Sequence, residues 1–262
     1  MPDETYRDII NDIARTKSSA VTVFSDFCRM AACALAANSR EDEYFEAIKP
    51  YSKDELKKFT QAMALLIAEM EKSPFSDILG PYYTEIAAHS SKQARGEFYT
   101  PPEICELMAS IAVDIEATKT KGLPISVNEP CCGSGGMVLA LAKFFAPDSV
   151  DLLRVTCQDI NPVAVDMCYI NTTLWGIPAN IILGNTLHMT IDKSWRNFHW
   201  HRVGEDQRQS IDQMMDLLKN PPAISESEKT ESANSQPQSR HPNPDGQFEL
   251  DLGMLADNEH SK

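Results

Sequence analysis

The chain has 262 residues, of which 42% are apolar and 24% are charged, and its formal net charge is -14 at pH 7. This length suffices for one sizeable hydrophobic core, and the composition is that of a folded globular protein. The longest apolar runs fall short of the ~18 residues that a membrane span needs, and no secretory signal is readable. We therefore expect a cytoplasmic protein without membrane contact. With 24 basic against 38 acidic side chains, it is not expected to grip a polyanion strongly by itself.

The first part of the chain, residues 1–90, is predicted to be a helical N-terminal domain. Apolar side chains recur at helical intervals from Ile9 to Leu35, and "SKDELKKFTQAMALLIAEMEK" begins with Ser52 as N-cap and Glu55 three positions later. Two interpretations stay open for these helices. They form a packed helical cap, or they dock a partner or face a substrate.

Residues 91–205 are predicted to form a second domain, in which short apolar runs alternate with helical ones from about Lys119 onward. "LPISVNEP", "LLRVTCQD" and "ANIILGN" are typical of strands, and "GMVLALAKFF" and "PVAVDMCYINTTLWG" of the helices between them. This order predicts a parallel sheet with right-handed crossovers. At most "NFHWHRV" is expected to add a fourth strand.

The end of the chain is predicted to be a helix over residues 206–220 and a disordered acidic tail over residues 221–262. The tail has eight acidic and three basic side chains, and its first part, residues 221–247, is rich in Pro, Ser, Asn, Gln and Glu and almost free of large apolar groups. Such a segment cannot offset its ordering entropy by burial.

The seven cysteines are predicted to be reduced thiols that are mostly buried. Their number is odd, most stand in apolar segments, and Cys131 and Cys132 are adjacent, which would strain a disulfide between them. No zinc spacing is present, and we predict no metal site.

The stretch "NEPCCGSGG", residues 128–136, is the strongest functional signal. A glycine-rich turn between a strand and a helix lets backbone N–H groups approach a ligand, although a tight turn needs glycine whether or not anything binds. Asp159 ends the second strand, where a carboxylate can accept hydrogen bonds from both ribose hydroxyls of a nucleoside. Asn185 follows the third strand, where it could meet an adenine edge. Upstream, "GEFYTPPEICELM" predicts a helix with Thr100 as N-cap and Pro101 at its first position.

Together these motifs resemble the adenine-specific N-6 DNA methylase family, in particular the methylation subunits of type I restriction-modification systems. "GEFYTP" at 96–101, "EPCCGSGG" at 129–136, "DINP" at 159–162 and "GNTL" at 184–187 match the order and spacing of four family motifs, and "DILGPYYTEI" at 77–86 resembles the helix that leads into the family's domain. The family pattern has Asp where this chain has Glu129 and Asn185.

The resemblance implies an α/β S-adenosylmethionine-dependent methyltransferase core, Rossmann-like and truncated, with S-adenosyl-L-methionine as cofactor. Phe98, Tyr99 and Thr100 would lie along the methionine end, and Glu129 would orient the amino group. The implied cofactor-binding residues are Phe98, Tyr99, Thr100, Pro101, Glu129, Gly133, Ser134, Gly135, Asp159 and Asn185. The implied reaction is methyl transfer to the exocyclic amine of adenine in DNA.

The base pocket of the family, an Asn-Pro-Pro-Phe/Tyr turn after a fourth strand, is not found in the sequence. Asn220, Pro221 and Pro222 are followed by Ala223 and preceded by a helical pattern, which favours a helix stop. No catalytic residue is therefore assigned. We expect either an enzyme subunit that needs a partner, such as a specificity or methylation subunit, or a catalytically silent cofactor-binding regulatory protein.

Two further features are conspicuous. The cluster from Trp195 to His201 could stack on bases or on the cofactor's adenine, or cap the edge of a core, or meet a partner. "QFELDL", Gln247 to Leu252, resembles the short peptides by which DNA-processing proteins bind the sliding clamp.

Overall fold

The computed structural model describes residues 4–17, 19–37, 39–88 and 100–203. Its amino-terminal part consists of helices wherever the apolar periodicity predicted them: α1 Tyr6–Ala14, α2 Ala20–Leu35, α3 Glu41–Ile48, α4 Lys53–Lys72 and α5 Leu79–Ala88. The predicted helix 206–220, the acidic tail and the segment from Gln247 to Leu252 lie outside the described residues.

Side-chain caps fix the starts of these helices. Ser52 accepts the Glu55 N–H at the start of α4, and the Glu55 carboxylate accepts the Ser52 N–H at 2.8 Å, which forms the predicted capping box. Thr5 and Asp8 form a second capping box at α1. Because both boxes satisfy backbone donors that a helix leaves unpaired, the helix boundaries follow from local sequence.

The helical part has an aromatic core. Tyr6 and Tyr82 meet edge to face with ring centres 5.6 Å apart, and Phe24 meets Tyr82 in the same way at 5.2 Å. All three side chains are almost completely buried. Edge-to-face pairs of this kind favour one arrangement of helices α1, α2 and α5 over others.

The second part is an α/β unit that surrounds a four-stranded sheet. Its elements are α6 Pro102–Ala112, α7 Ile115–Lys121, β1 Ile125–Glu129, α8 Gly136–Phe145, a 3₁₀ turn at Val150–Leu152, β2 Leu153–Asp159, α9 Pro162–Leu174, β3 Ala179–Leu183 and β4 Lys193–Arg196. The strand order is β1-β2-β3-β4, and the first three strands are parallel. The three predicted strands, the two intervening helices and their parallel order are confirmed.

The fourth strand is not the one predicted. β4 is Lys193–Arg196, antiparallel to β3, whereas most of "NFHWHRV" is a helical turn over residues 198–203. Asn197 explains the boundary, because its side-chain oxygen accepts the Trp200 N–H at 3.0 Å and so caps the turn. The same oxygen accepts the Ala179 N–H of β3 at 3.1 Å, which keeps Asn197 buried at the end of the sheet.

The two faces of the sheet differ in polarity. One face carries Val155, Cys157 and Ile181, which are fully buried, and α9 packs against β2 and β3. Apart from the buried Ile182, the opposite face carries polar side chains that are exposed or half-buried: Ser126, Asn128, Arg154, Thr156, Gln158 and Asn180. This sheet therefore alternates as a half-solvated sheet does, although its first three strands are parallel.

The cysteines are all free thiols, with Cys131 exposed and the other six buried, as predicted. Across the part of the chain that the structure describes, no helix has the length and apolarity needed to cross a bilayer.

Candidate cofactor site

A cleft of about 330 Å³ lies where β1 and β2 end, at the start of α8. Carboxyl ends of parallel strands and helix N-termini meet at this edge of an α/β sheet, which is where such folds bind ligands. The residues that line the cleft are Asp77, Thr100, Cys105, Glu129, Cys131, Cys132, Gly133, Ser134, Gly136, Met137, Asp159, Ile160, Asn161 and Ala164.

The turn from Cys131 to Gly135 needs glycine for two separate reasons. Gly133 and Gly135 have φ angles of +53° and +92°, which L-residues with side chains rarely adopt. A Cβ on Gly135 would also lie 3.1 Å from the Cys168 Sγ of α9. The glycines therefore let the turn close onto α9 and leave its other side open to the cleft.

Gly136, the first residue of α8, leaves room in the cleft itself. A Cβ there would lie 3.9 Å from Asp77 Oδ2 and 3.8 Å from Cys105 Sγ, and both residues line the cleft. The bare backbone at this position is what a ligand that approaches a helix N-terminus requires.

Asp159 braces the turn as well as facing the cleft. Its Oδ2 accepts the Gly133 N–H at 2.8 Å, and its Oδ1 accepts the Asn161 N–H at 2.8 Å. A carboxylate has about four lone-pair positions, so it can accept further hydrogen bonds from a ligand. The prediction that Asp159 takes the ribose hydroxyls is thus compatible with its geometry.

Glu129 is the last residue of β1 and lines the same cleft. It is half-buried, and its Oε1 accepts the Cys131 N–H at 3.4 Å. Burial raises the pKa of Glu129, and the negative charge of Asp159 adds to this effect. A cationic group bound in the cleft would counteract that shift, because it favours the ionised carboxylate.

Ser134 lines the cleft, and its hydroxyl and carbonyl both have partners within the protein. The side chain is fully buried and donates to Asp77 Oδ2 at 2.5 Å, and the Ser134 carbonyl accepts the Asn171 Nδ2 at 2.9 Å.

The entrance to α6 differs by one residue from the prediction. Pro101 is the N-cap and Pro102 is the first helical residue, and the cap makes no side-chain hydrogen bond. A residue before proline is pushed out of the helical region, so Pro102 holds Pro101 extended, with ψ 143°. Thr100 lines the cleft and Pro101 lines an adjoining cavity. Phe98 and Tyr99 lie outside the described residues.

Asn185 is placed in the loop between β3 and β4. Its Oδ1 accepts the His188 N–H at 3.0 Å, so its side chain closes a local turn, and it is not part of the cleft wall described above. Gly184 is required beside it, since a Cβ would lie 2.1 Å from the Thr190 carbonyl oxygen. A contact between Asn185 and adenine stays a prediction.

The cleft also contains residues that the sequence did not single out. Ile160 follows Asp159 with 66% of its side chain exposed, at the rim of the cleft. Asp77 reaches the cleft from the start of α5. Both belong to motifs already quoted, "DINP" and "DILG", but only the folded structure shows that they point to one place.

The aromatic cluster near the carboxyl end of the described chain packs mainly on the molecule itself. The Arg40 guanidinium lies 4.2 Å from the ring centre of Trp195, and those of Arg154 and Arg196 lie 4.3 Å and 5.6 Å from the ring centre of Trp200. His199 Nε2 lies 3.0 Å from the Thr173 carbonyl oxygen. Phe198 is the exposed member, at 67%. These contacts favour the edge-capping interpretation.

A βαβαβ unit with a glycine turn after its first strand and an acid at the end of its second defines a Rossmann-like nucleoside-binding fold. Residues 75–249 match the N-6 DNA Methylase family. The chain is 27% identical over 209 residues to the type I restriction enzyme MpnII methylase subunit of Mycoplasma pneumoniae, which covers 74% of this chain and 35% of that protein. This chain therefore spans about a third of the length of the curated relative it matches.

Two solved structures are also similar. A class I S-adenosylmethionine-dependent methyltransferase from Listeria monocytogenes gives a TM-score of 0.42 at 12% identity, over 70% of this chain and 53% of that chain. The type I restriction-modification methyltransferase subunit of Streptococcus thermophilus gives a TM-score of 0.31 at 20% identity, over 68% of this chain and 38% of that chain.

Because the family model matches two thirds of this chain, the chain belongs to the N-6 DNA methylase family. The predicted resemblance is confirmed, and so is the predicted fold class, an α/β Rossmann-like core, in the part of the chain that the structure describes. The chain is a DNA methyltransferase-like protein, and the cofactor of this family is S-adenosyl-L-methionine.

Proposed function

We propose that the cleft binds S-adenosyl-L-methionine through the residues that the structure brings together there. Asp159 accepts hydrogen bonds from the ribose, Ile160 packs on the adenine, and Glu129 and Thr100 face the methionine end across the glycine turn. Glu129, which burial makes harder to ionise, gains a cationic amino group as a partner. When bound, the cofactor supplies a methyl group on a sulfonium centre.

The observation that carries this proposal is the hydrogen bond from the Gly133 N–H to Asp159 Oδ2. It fixes the acid at the end of β2 against the turn at the end of β1, so that one ligand can touch both. A glycine turn required only for chain reversal would not need an acid from the neighbouring strand.

We further propose that the chain serves adenine methylation in DNA together with a partner subunit. The relative is named as a methylase subunit of a type I restriction enzyme, and this chain spans 35% of its length. Helix α6 exposes Ile104, Leu107, Met108 and Ile111, between 46% and 71% each, on one helical stripe. An exposed apolar stripe of this kind is typical of a surface that another chain covers.

The partner would also supply most of the contact with DNA. The chain carries 38 acidic against 24 basic side chains, which disfavours phosphate binding. None of the comparisons supports the sliding-clamp contact of Gln247 to Leu252, which stays a prediction, as does the cytoplasmic location.

Titration calorimetry with S-adenosylmethionine and S-adenosylhomocysteine tests the cofactor site. We expect both compounds to bind the purified protein and Asp159→Ala to bind about ten- to a hundredfold more weakly, because a charge-assisted hydrogen bond to the ribose is lost. Asp151→Ala, an exposed acid on the 3₁₀ turn, is the control and should bind as the wild type does. A folded wild-type protein that binds neither compound at millimolar concentration would refute the proposal.

A second assay distinguishes an enzyme subunit from a catalytically silent regulatory protein. The silent alternative is favoured by Ala223, which follows Asn220-Pro221-Pro222 where the family has an aromatic residue. Transfer of labelled methyl groups to unmethylated adenine-containing DNA is measured with purified protein and with added cell extract. We expect label only when the extract is present. The absence of label in both reactions would favour the silent protein, and label with the pure chain would contradict the need for a partner.

A further inference from the structure

Asp77 lies at the junction of the helical part and the glycine turn from Cys131 to Gly135, which we call the cofactor turn. It precedes α5, yet it lines the cleft that β1 and β2 form. Its Oδ2 accepts the Ser134 hydroxyl at 2.5 Å, and its Oδ1 accepts the Asn171 Nδ2 at 3.2 Å and the Gly80 N–H at 3.0 Å. One carboxylate therefore joins α5, the glycine turn and α9.

The contacts of Asp77 form a closed ring with Ser134 and Asn171. The amide nitrogen of Asn171 donates both to Asp77 and to the Ser134 carbonyl oxygen, at 2.9 Å. Ser134 and Asn171 are fully buried, so water cannot replace these partners. Both the hydroxyl and the carbonyl of Ser134 are thus held by partners within the protein.

Two acids consequently fix the turn at successive residues. Asp159 holds Gly133 from β2, and the ring of Asp77 and Asn171 holds Ser134 from α5 and α9. Hydrogen bonds to a carboxylate are stronger than neutral ones and define geometry more narrowly. A turn that is held in this way is already ordered before a ligand binds. Binding to its remaining backbone groups therefore carries no entropic cost of ordering the turn.

We propose that Asp77 is a positioning residue of the cofactor turn, which acts through Ser134 and so makes cofactor affinity depend on the helical part of the chain. This proposal rests on the proposed function, because the turn must bind S-adenosylmethionine for its position to matter. The residue has no need to contact the cofactor.

A double-mutant cycle tests the proposal, with S-adenosylmethionine as the titrant in calorimetry. Asp77→Asn removes the charge and leaves one acceptor oxygen for three donors, and Ser134→Ala removes the hydroxyl. We expect each variant to bind about ten- to a hundredfold more weakly, and the double variant to bind no more weakly than the worse single variant. Asp151→Asn makes the same charge change at an exposed position and should leave the affinity unchanged.

The pH dependence of affinity distinguishes positioning from general loss of structure. Burial raises the pKa of Asp77, while hydrogen bonds from Ser134 and Gly80 oppose that shift. The other groups that face this carboxylate are Cys105 on α6 and, across the cleft, Glu129 and Asp159. As the pH falls through the raised pKa of Asp77, wild-type affinity should decrease, because a protonated carboxyl is a poorer acceptor. Asp77→Asn should flatten this part of the profile, and Glu129→Gln should keep it.

Each outcome of these measurements decides the proposal. It is overturned if Asp77→Asn weakens binding and Ser134→Ala does not, since Asp77 would then act on the ligand itself. Additive losses in the double variant, or unchanged affinity in both single variants, also overturn it. If the wild-type protein binds no S-adenosylmethionine, the proposed function is refuted as well. If the wild-type protein binds but the losses in the double variant are additive, only the role of Asp77 is refuted.

Discussion

Gly135 and Gly122 both have positive φ angles. Comparing them separates two effects of adding a side chain, which are backbone strain and steric conflict. Gly122, at the end of α7, has φ +61° and open space where a Cβ would stand. Gly135 has φ +92° and the Cys168 sulfur 3.1 Å from that position. Backbone strain applies to both glycines, while steric conflict applies only to the one in the cofactor turn.

Gly135→Ala should therefore destabilise the protein more than Gly122→Ala. We expect a loss of about 1 kcal/mol in the free energy of unfolding for Gly122→Ala, from left-handed backbone strain, and about 2–4 kcal/mol for Gly135→Ala, where crowding adds to strain. Urea unfolding followed by circular dichroism measures both. Equal losses would show that α9 moves aside and that the turn is not closely packed.

At the scale of elements, α9 is anchored to the helical part by a buried ion cluster. Asp166 on α9 accepts Arg29 Nε of α2 at 2.7 Å and Arg40 Nη2 at 2.8 Å, and Arg40 also donates to Glu43 of α3 at 2.8 Å. Arg40 is 3% exposed and lies under the Trp195 ring of β4. Removing one charge from such a cluster leaves the others buried without compensation.

Asp166→Ala should lower the free energy of unfolding by about 3–5 kcal/mol, because the buried Arg40 keeps only Glu43 as an ionic partner and the partly exposed Arg29 loses its carboxylate. Urea unfolding at neutral pH measures the loss. Asp54→Ala, which breaks the fully solvated pair with Lys57, is the control and should cost less than about 1 kcal/mol. A loss as small as that of the control would show that α2 and α9 are held by apolar packing alone.

The capping box of α4 gives a prediction on acid stability. The Ser52 N–H holds the pKa of Glu55 at about 2, below its ordinary value of 4.5. A lowered pKa means that this stabilisation is fully present above pH 4.5 and is lost as the pH falls toward 2. Glu55→Gln should therefore reduce stability at neutral pH and reduce the dependence of stability on pH in that window.

Urea unfolding of Glu55→Gln and of the wild type at several pH values tests this dependence. Glu41→Gln, in the first turn of α3 where the N-cap makes no side-chain hydrogen bond, is a control for charge near a helix start. If the two glutamine variants lose the same pH dependence, the effect belongs to the helix dipole and not to the capping box.

At the scale of the whole molecule, charge governs contact with nucleic acid. The net charge of -14 opposes phosphate binding. On the polar face of the sheet, within the described strands, the basic side chains are Arg154 and Arg196, which both lie beside Trp200. The proposed role in DNA methylation is compatible with this charge if a partner subunit supplies the contacts with phosphate.

Purified protein should accordingly bind a labelled duplex with a dissociation constant no tighter than about 10⁻⁴ M at physiological salt. Fluorescence anisotropy with and without S-adenosylmethionine measures the affinity. Micromolar binding by the pure chain, weakened by added salt, would contradict the need for a partner in DNA contact.

Much of the fold could be read from local sequence, because its determinants are local. The capping box at Ser52, the apolar runs of β1, β2 and β3, and the glycines before α8 each act within a few residues. Corrections arose where distant residues compete. Asn197 ended β4 and began a helical turn because it also bonds to Ala179 of β3, a contact that no local pattern reveals.

The sequence by itself determined the family and identified Asp159 and the glycines that the structure brings together at the cleft, since these belong to spaced motifs whose chemistry is carried by residue type. Only the tertiary structure decided that Asp77 reaches the turn across 57 positions of sequence, that Asn185 closes a turn of its own, and that Asp166 joins α9 to α2. The physical reason is that a hydrogen bond between distant segments depends on how helices pack, and packing is a property of the whole core.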